Sequence, residues 1–212
     1  NLPQFLDAPG EFYYDVDWSE NSGRLFLRLS ENRSPNDLQI ELAVNYTTLE
    51  INDKNHIHIS GLTFTRNGFN GNTAAHSVNI TGSCSDIVIK NCKFDHLSNN
   101  GVQFVADGDD DVMDNIFVSD NEFYDVKGHA LRIIGRSNNN TSQDWVPGGE
   151  LEYVEVLRNR LHQTGFRHVG NQWSNVAAVG ISYPNTGEIA GNIITRSFGS
   201  GLVVQGGKGG GT

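Results

Sequence analysis

The sequence predicts an all-β solenoid, a right-handed parallel β-helix, and the main observation behind this prediction is a repeated phrase. A strand–turn–strand segment occurs as IHISGLTF (57–64), IVIKNCKF (87–94), IFVSDNEF (116–123), VEVLRNRL (154–161) and EIAGNII (188–194). The closing apolar residues of these segments are 30, 29, 38 and 33 residues apart. A period of this size is typical of stacked repeats, in which each unit buries its apolar face only against its neighbours.

A further strand follows each phrase, and it is the second observation. These segments read SVNI (77–80), GVQF (101–104), ALRI (130–133), AVGI (178–181) and GLVV (201–204). Their apolar residues alternate with a period of two, which indicates strands rather than helices. The 24 glycines and 24 asparagines supply the turns between them. We therefore expect about five coils, each made of three short strands.

The third observation is a column of asparagines at the bend of the repeat. The position two residues before the closing apolar residue holds Asn121, Asn159 and Asn192 in successive coils. An inward asparagine can bond its counterpart in the next coil and satisfy the backbone groups of the turn. Cys92 occupies the same position one coil earlier, where we expect it to pack as a small buried residue.

Three parts of the chain follow from these patterns. Residues 1–46 are predicted to hold an N-terminal β-hairpin, from GEFYYDVDW (10–18) and RLFLRL (24–29), and the strands leading into the first coil. Residues 47–206 are predicted to form the coils, and residues 207–212 a glycine-rich tail. An uncapped solenoid end exposes strand edges. We therefore expect a truncated solenoid, continued by further coils beyond Thr212 or covered by self-association.

Composition favours a secreted or extracellular protein. The chain has 15 basic and 25 acidic residues, a net charge of −10. This balance argues against a nucleic-acid partner, which would require a basic stripe. No apolar run approaches the ~20 residues that span a bilayer. Five N-glycosylation sequons favour a glycoprotein. Their acceptors are Asn32, Asn45, Asn79, Asn139 and Asn140.

Several of these segments resemble a known group of proteins. LDAPGEFYYDVD (6–17), GRLFLRL (23–29) and IHISGLTFTRNG (57–68), with the later YVEVLRNRLHQTG (153–165) and EIAGNIITRSFGSGL (188–202), are similar to secreted right-handed parallel β-helix proteins related to glycoside hydrolases and polysaccharide lyases, the pectate-lyase-like superfamily. The resemblance implies a carbohydrate-active protein with a polysaccharide or glycan partner. It carries no catalytic motif, because this fold supports many activities.

Loop lengths predict where a ligand would bind. The longest connections border the third strand of each coil, and loops on a rigid scaffold commonly carry function. The outward residues Asn79, Gln103 and Arg132 would floor a groove, walled by an acidic loop and by Arg167, His168 and Trp173. Planar polar groups and aromatic faces suit sugars. The alternative, that these outward positions are only solvated, stays open.

The acidic loop DGDDD (107–111) has three interpretations. Asp107 or Asp109 could work with Glu150 or Asp144 as the two carboxylates of glycosidic cleavage. The same oxygens could bind Ca²⁺, although the EF-hand spacing is absent. The loop could also be a solvated acidic turn. No other cofactor and no metal-ligand set is expected.

His129 has two interpretations as well. It lies close in the repeat to Arg132, and a general-base histidine beside an arginine that steadies an anion would make chemical sense. Alternatively, its imidazole hydrogen-bonds the backbone of a turn.

Two functions are therefore expected as alternatives. The first is an extracellular glycosidase or polysaccharide lyase. The second is a non-catalytic protein, either a structural fibre subunit or a glycan-binding solenoid.

Overall fold

The computed structural model describes residues 8–9, 12–17, 22–30, 33–34, 46–68, 76–108, 110–135, 149–165 and 176–206. The chain divides into two compact units, Asn1–Leu42 and Ala43–Thr212. Every regular element of the described residues is a β-strand, and none of them lies in an α-helix. Accordingly, no helix in this part of the chain has the length and apolarity needed to cross a membrane. The predicted tail at 207–212 lies outside the described residues.

The first unit contains a β-hairpin. Strands β1 (Phe12–Asp17) and β2 (Ser22–Leu27) are antiparallel, with Phe12 opposite Leu27 and Asp17 opposite Ser22. The alternating sequence FYYDVD and the polar connection between the strands favour this pairing. The hairpin forms where the sequence predicts it.

The described residues of the second unit form 16 strands. In chain order they are β3 (Leu49–Asn52), β4 (His58–Ser60), β5 (Thr63–Thr65), β6 (His76–Thr81), β7 (Cys84–Lys90), β8 (Lys93–Leu97), β9 (Asn100–Val105), β10 (Val112–Ser119), β11 (Glu122–Val126), β12 (Leu131–Ile134), β13 (Glu150–Leu157), β14 (Arg160–Thr164), β15 (Ala177–Ser182), β16 (Pro184–Ala190), β17 (Ile193–Ser197) and β18 (Ser200–Gln205).

These strands form three parallel sheets, because the chain visits each sheet once per coil. Sheet 1 has the order β4-β7-β10-β13-β16, and sheet 2 has the order β5-β8-β11-β14-β17. Sheet 3 has the order β3-β6-β9-β12-β15-β18. The three strands per coil and the all-β character are confirmed.

Equivalent residues of successive coils stack in columns inside the three sheets. The closing residues Phe64, Phe94, Phe123, Leu161 and Ile194 form one such column. The Phe94 ring centroid lies 5.0 Å from that of Phe64 and 4.6 Å from that of Phe123, with interplanar angles of 6° and 7°. Aromatic stacking of this kind stabilises beyond area burial. The repeated phrase is therefore the core of one coil.

The predicted asparagine ladder is present. Asn121 Oδ1 accepts the Cys92 N–H at 2.9 Å, and Asn121 Nδ2 donates to the Ile89 carbonyl at 2.9 Å. Asn159 Oδ1 accepts hydrogen bonds from the backbone N–H and from Nδ2 of Asn121, both at 3.0 Å. Asn192 Oδ1 accepts the same two bonds from Asn159. The ladder thus provides hydrogen-bond partners for buried backbone groups that the turn leaves without them.

The residue before each ladder position has a left-handed backbone. Asn91, Asp120 and Arg158 have φ angles of 53°, 57° and 54°, and glycines occupy the position in the first and last coils. Asparagine and aspartate tolerate this conformation better than most residues do. Cys92 is buried, with Sγ 3.3 Å from the Lys90 carbonyl oxygen, as expected of a small core residue.

The last coil leaves apolar side chains exposed. Ile193, Phe198, Leu202 and Val204 are between 47% and 69% exposed. Within the described residues, strands β16, β17 and β18 have a partner on one side only. The predicted self-association through this end stays a prediction.

We expect Asn121→Ala to lower the free energy of unfolding by about 2–4 kcal/mol, because it leaves the Cys92 N–H and the Ile89 carbonyl buried without partners. Urea denaturation would measure the loss. Asn52→Ala is the control, since Asn52 is exposed and its amide donates to the Thr81 hydroxyl. Equal stability losses in both variants would contradict a structural role for the ladder.

Candidate functional site

Sheet 3 is bordered by the longest connections of the second unit. The turns between sheets 1 and 2 are short. They comprise residues 61–62, 91–92, 120–121, 158–159 and 191–192. The long connections at the two ends of the sheet 3 strands comprise residues 66–75, 106–111, 135–149 and 165–176. This is the row of strands on which the sequence predicts a groove.

One column of residues on sheet 3 forms a polar ladder. The strand register aligns Glu50, Asn79, Gln103, Arg132 and then Gly180 in five successive coils. Their neighbours along each strand are apolar and, apart from the partly buried Leu49, buried, so this column lies on the outward face. The predicted Asn79, Gln103 and Arg132 are therefore brought together, and Glu50 extends the row by one coil.

The ladder is a head-to-tail chain of hydrogen bonds. Arg132 Nη1 donates to Gln103 Oε1 at 2.9 Å, and Gln103 Nε2 donates to Asn79 Oδ1 at 3.2 Å. Asn79 Nδ2 then donates to Glu50 Oε1 at 3.1 Å. A guanidinium can only donate and an ionised carboxylate can only accept. The two ends therefore set the orientation of both amides between them.

The exposure of the ladder side chains varies along the row. Glu50 is exposed, Asn79 and Arg132 are partly buried, and Gln103 is buried with 7% exposure. Gln103 therefore presents little surface to a ligand. Its contribution is to hold Asn79 and Arg132 in position on either side.

His129 lies next to the outward column, beyond the Arg132 end of the ladder. A Cβ placed on Gly180 would lie 3.3 Å from His129 Nδ1, so the imidazole occupies the space that the glycine leaves above the next coil. The Ala177 N–H donates to this Nδ1 at 3.2 Å. Nδ1 is thus the acceptor nitrogen, and the neutral ring carries its proton on Nε2. The imidazole bonds the backbone, as the second interpretation of His129 proposes.

A second histidine lies beside the ladder. Asn100 Oδ1 accepts the His129 backbone N–H at 2.9 Å, so Asn100 Nδ2 is the donor end of the amide. That nitrogen lies 3.2 Å from His76 Nδ1 and 3.5 Å from Gln103 Oε1. His76 therefore accepts through Nδ1 and carries its proton on Nε2, like His129.

Burial and the Arg132 charge keep both imidazoles neutral. Burial, followed by the positive charge of Arg132, lowers the pKa of His76 and that of His129 to about 4. Burial also lowers the pKa of Arg132 from its ordinary value. Among the described residues Arg132 forms no ion pair. The site thus contains a partly desolvated cation with a neutral amide partner.

The acidic loop is held by its own hydrogen bonds. Asp107 Oδ1 accepts the Gly82 N–H at 3.1 Å. Asp111 accepts the Gly108 N–H at 2.6 Å and the Ser83 hydroxyl at 3.2 Å. Several carboxylate oxygens of this loop therefore serve the fold.

Glu150 lies at the same corner as the acidic loop. Its backbone N–H donates to the Asp111 carbonyl at 2.7 Å, and the Gly149 N–H donates to the Ala106 carbonyl at 3.3 Å. The Glu150 side chain is exposed. The structure thus brings Glu150, the first residue of β13 in sheet 1, next to the acidic loop that follows β9 of sheet 3.

Several predicted site residues lie outside the described residues. They are Asn32, Asn45, Asp109, Asn139, Asn140, Asp144, Arg167, His168 and Trp173. Within the described part of the chain, no group of three or more His, Cys, Asp or Glu side chains is placed to hold a metal ion. Calcium binding at the acidic loop stays a prediction, because Asp109 is not described. The sequon acceptor Asn79 has its amide engaged in the ladder.

Sequence reasoning missed Glu50, His76 and Asn100. Glu50 could have been found, because it alternates with Leu49 and Ile51 in the strand that precedes the first repeated phrase. His76 and Asn100 begin their strands, and no local pattern predicts that one amide joins them.

No protein-family model, no curated protein and no solved structure matches this chain. What the site does is therefore inferred from its geometry.

We expect the free energy of unfolding to fall as the pH drops from about 6.5 to about 4. Both histidines bind a proton less readily in the folded chain than in the unfolded chain, so the unfolded state gains protons first in this window. The loss at pH 5 is about 2 kcal/mol per histidine. Urea denaturation at pH 7.5 and pH 5 would measure it.

His76→Asn is the matched variant for this measurement, because Asn Oδ1 can accept from Asn100 without titrating. The variant should lose less stability than the native protein between the two pH values. An unchanged difference would contradict a buried, neutral His76.

Proposed function

We propose that this protein binds an extended polysaccharide chain along sheet 3, as an extracellular carbohydrate-active parallel β-helix protein. The observation that carries this proposal is the continuous hydrogen-bonded row from Glu50 to Arg132 over four coils. Successive strands of a sheet are about 4.8 Å apart. The row is therefore a linear array of polar groups about 14 Å long at its backbone.

The chemistry of the row suits sugar hydroxyl groups. Asn79 and Arg132 are partly exposed and held by hydrogen bonds, so a ligand would meet polar groups that are already ordered. Planar amide and guanidinium groups at fixed positions are typical of sites that orient polar ligands. The connections that join the sheet 3 strands to their neighbours include the longest of the second unit, and loops on a rigid scaffold commonly carry function.

The finer fold assignment belongs to the same proposal. We infer that the three sheets wind as a right-handed solenoid, the hand that parallel strands joined by crossovers almost always adopt. The resemblance to the pectate-lyase-like superfamily supports a carbohydrate ligand. The five sequons support an extracellular location.

Binding is favoured over cleavage by the composition of the ladder. Glycosidic cleavage by hydrolysis needs two carboxyl groups across the scissile bond, and the row itself contains one, Glu50. A second candidate function, cleavage at the edge of sheet 3, is favoured by one observation. Backbone hydrogen bonds place Glu150 beside the loop that contains Asp107, where the chain passes from sheet 3 to sheet 1.

We expect Asn79→Ala to reduce polysaccharide binding at least tenfold, because it removes an ordered polar group and breaks the row between Gln103 and Glu50. Affinity electrophoresis against a panel of neutral and acidic polysaccharides would measure binding. The protein should come from a host that adds no N-linked glycan, so that loss of the sequon has no effect.

Asn185→Ala is the control for this experiment. Asn185 is exposed on β16 of sheet 1, so its loss removes an amide from a different face. Equal binding by the native protein and the Asn79→Ala variant, or no binding to any polysaccharide, would refute the proposal.

If cleavage occurs at the corner, Asp107→Asn and Glu150→Gln should each abolish product formation and leave glycan binding intact. The asparagine amide oxygen can still accept the Gly82 N–H, so the turn should persist. New reducing ends would indicate hydrolysis, and unsaturated ends would indicate a lyase. Undiminished cleavage by both variants would exclude this carboxylate pair.

A further inference from the structure

Resting on the proposed function, the geometry points to an anion subsite at the Arg132 end of the ladder, formed by Arg132 and His129. We propose that it selects a glycan with a carboxylate or sulfate on one sugar unit next to neutral units. Such a subsite would fix both the class of ligand and its direction along sheet 3.

Arg132 supplies the first donor group of the subsite. Its side chain is partly buried, its hydrogen bond goes to the neutral Gln103, and no carboxylate among the described residues pairs with it. Removing a cation from water without a counter-charge is costly. An anionic group on the ligand would supply that counter-charge, and a guanidinium suits carboxylate and sulfate oxygens because it donates from a planar fork.

His129 supplies the second donor group of the subsite. The backbone of Ala177 occupies Nδ1, so the neutral ring has a donor on Nε2. The ring lies above Gly180, the next position after Arg132 in the outward column. Two donors of the protein, the Arg132 guanidinium and the His129 imidazole N–H, therefore lie at one end of the row, with the imidazole ring over the Gly180 position of the next coil. No acceptor side chain of the column lies between them.

The rest of the column has no positive charge. Asn79 and Gln103 are neutral, and the row ends in the exposed carboxylate Glu50, three coils from Arg132. A glycan with a charge on each sugar would place an anion opposite Glu50. It would also approach a chain whose net charge is −10. The column therefore favours a single anion at the Arg132 end and uncharged units towards Glu50.

The test uses polysaccharides with sparse uronate or sulfate groups, each paired with its carboxyl-reduced or desulfated form. Polygalacturonate is added as a uniformly charged probe. Binding is measured by isothermal titration calorimetry at fixed ionic strength. At least one sparsely charged member should bind about ten- to a hundred-fold more tightly than its uncharged form, the range expected for charge-assisted hydrogen bonds. It should also bind more tightly than polygalacturonate.

Three variants at two residues assign the preference to the subsite. Arg132→Gln should remove it and Arg132→Lys should restore part of it, because lysine keeps the charge and loses the fork. His129→Asn should weaken it while an amide oxygen still accepts the Ala177 N–H. Arg158→Gln is the control, since Arg158 is exposed and bonds Asp120 away from sheet 3. Thermal melts would confirm that each variant is folded.

The outcomes separate this inference from the proposed function. Equal binding of charged and uncharged forms, with loss in Asn79→Ala, would overturn the anion subsite and leave polysaccharide binding supported. Polygalacturonate bound as tightly as the sparsely charged glycans would overturn the selectivity. No binding to any polysaccharide would overturn both proposals.

Discussion

Parallel backbone hydrogen bonding between successive coils is the constraint on which every other feature of the second unit depends. A single coil cannot satisfy its own strands, because the N–H and C=O groups point along the stack towards the coils on either side. In-register pairing then places equivalent residues in columns. A position that recurs in the repeat becomes a column of contacting side chains, buried between the sheets for Phe94 and Asn121 and on the outward face for Gln103.

The same column geometry produces two ladders with different consequences. The asparagine ladder is buried and closes backbone groups, so its value is structural. The sheet 3 ladder runs from a cation to a carboxylate, so all of its hydrogen bonds point the same way, from Arg132 towards Glu50. Each hydrogen bond therefore polarises the next. Arg132 is held in a partly dry position beside two neutral imidazoles. Such a local conflict between burial and charge is characteristic of sites that bind something.

The acidic loop shows how a motif that suggests chemistry can serve the fold. Asp107 and Asp111 accept N–H and hydroxyl groups from Gly82, Gly108 and Ser83, and so tie the corner after sheet 3 to the preceding coil and to the loop itself. A run of aspartates looks the same in the sequence whether its side chains accept hydrogen bonds within a turn, face solvent or bind a ligand. Only the partners of each oxygen separate these roles.

By itself the sequence determined the three strands of each coil, the asparagine ladder and the sheet on which Asn79, Gln103 and Arg132 meet. The apolar period of two within strands and the return of the repeated phrase every 29–38 residues can both be read along the chain. The tertiary structure decided what those residues do together. The hydrogen bonds that link His76 to His129 through Asn100 cross three coils. The His129 ring can lie over Gly180 because glycine has no side chain there. Tautomers, burial and the order of donors along a column arise from contacts between coils, which no single repeat contains.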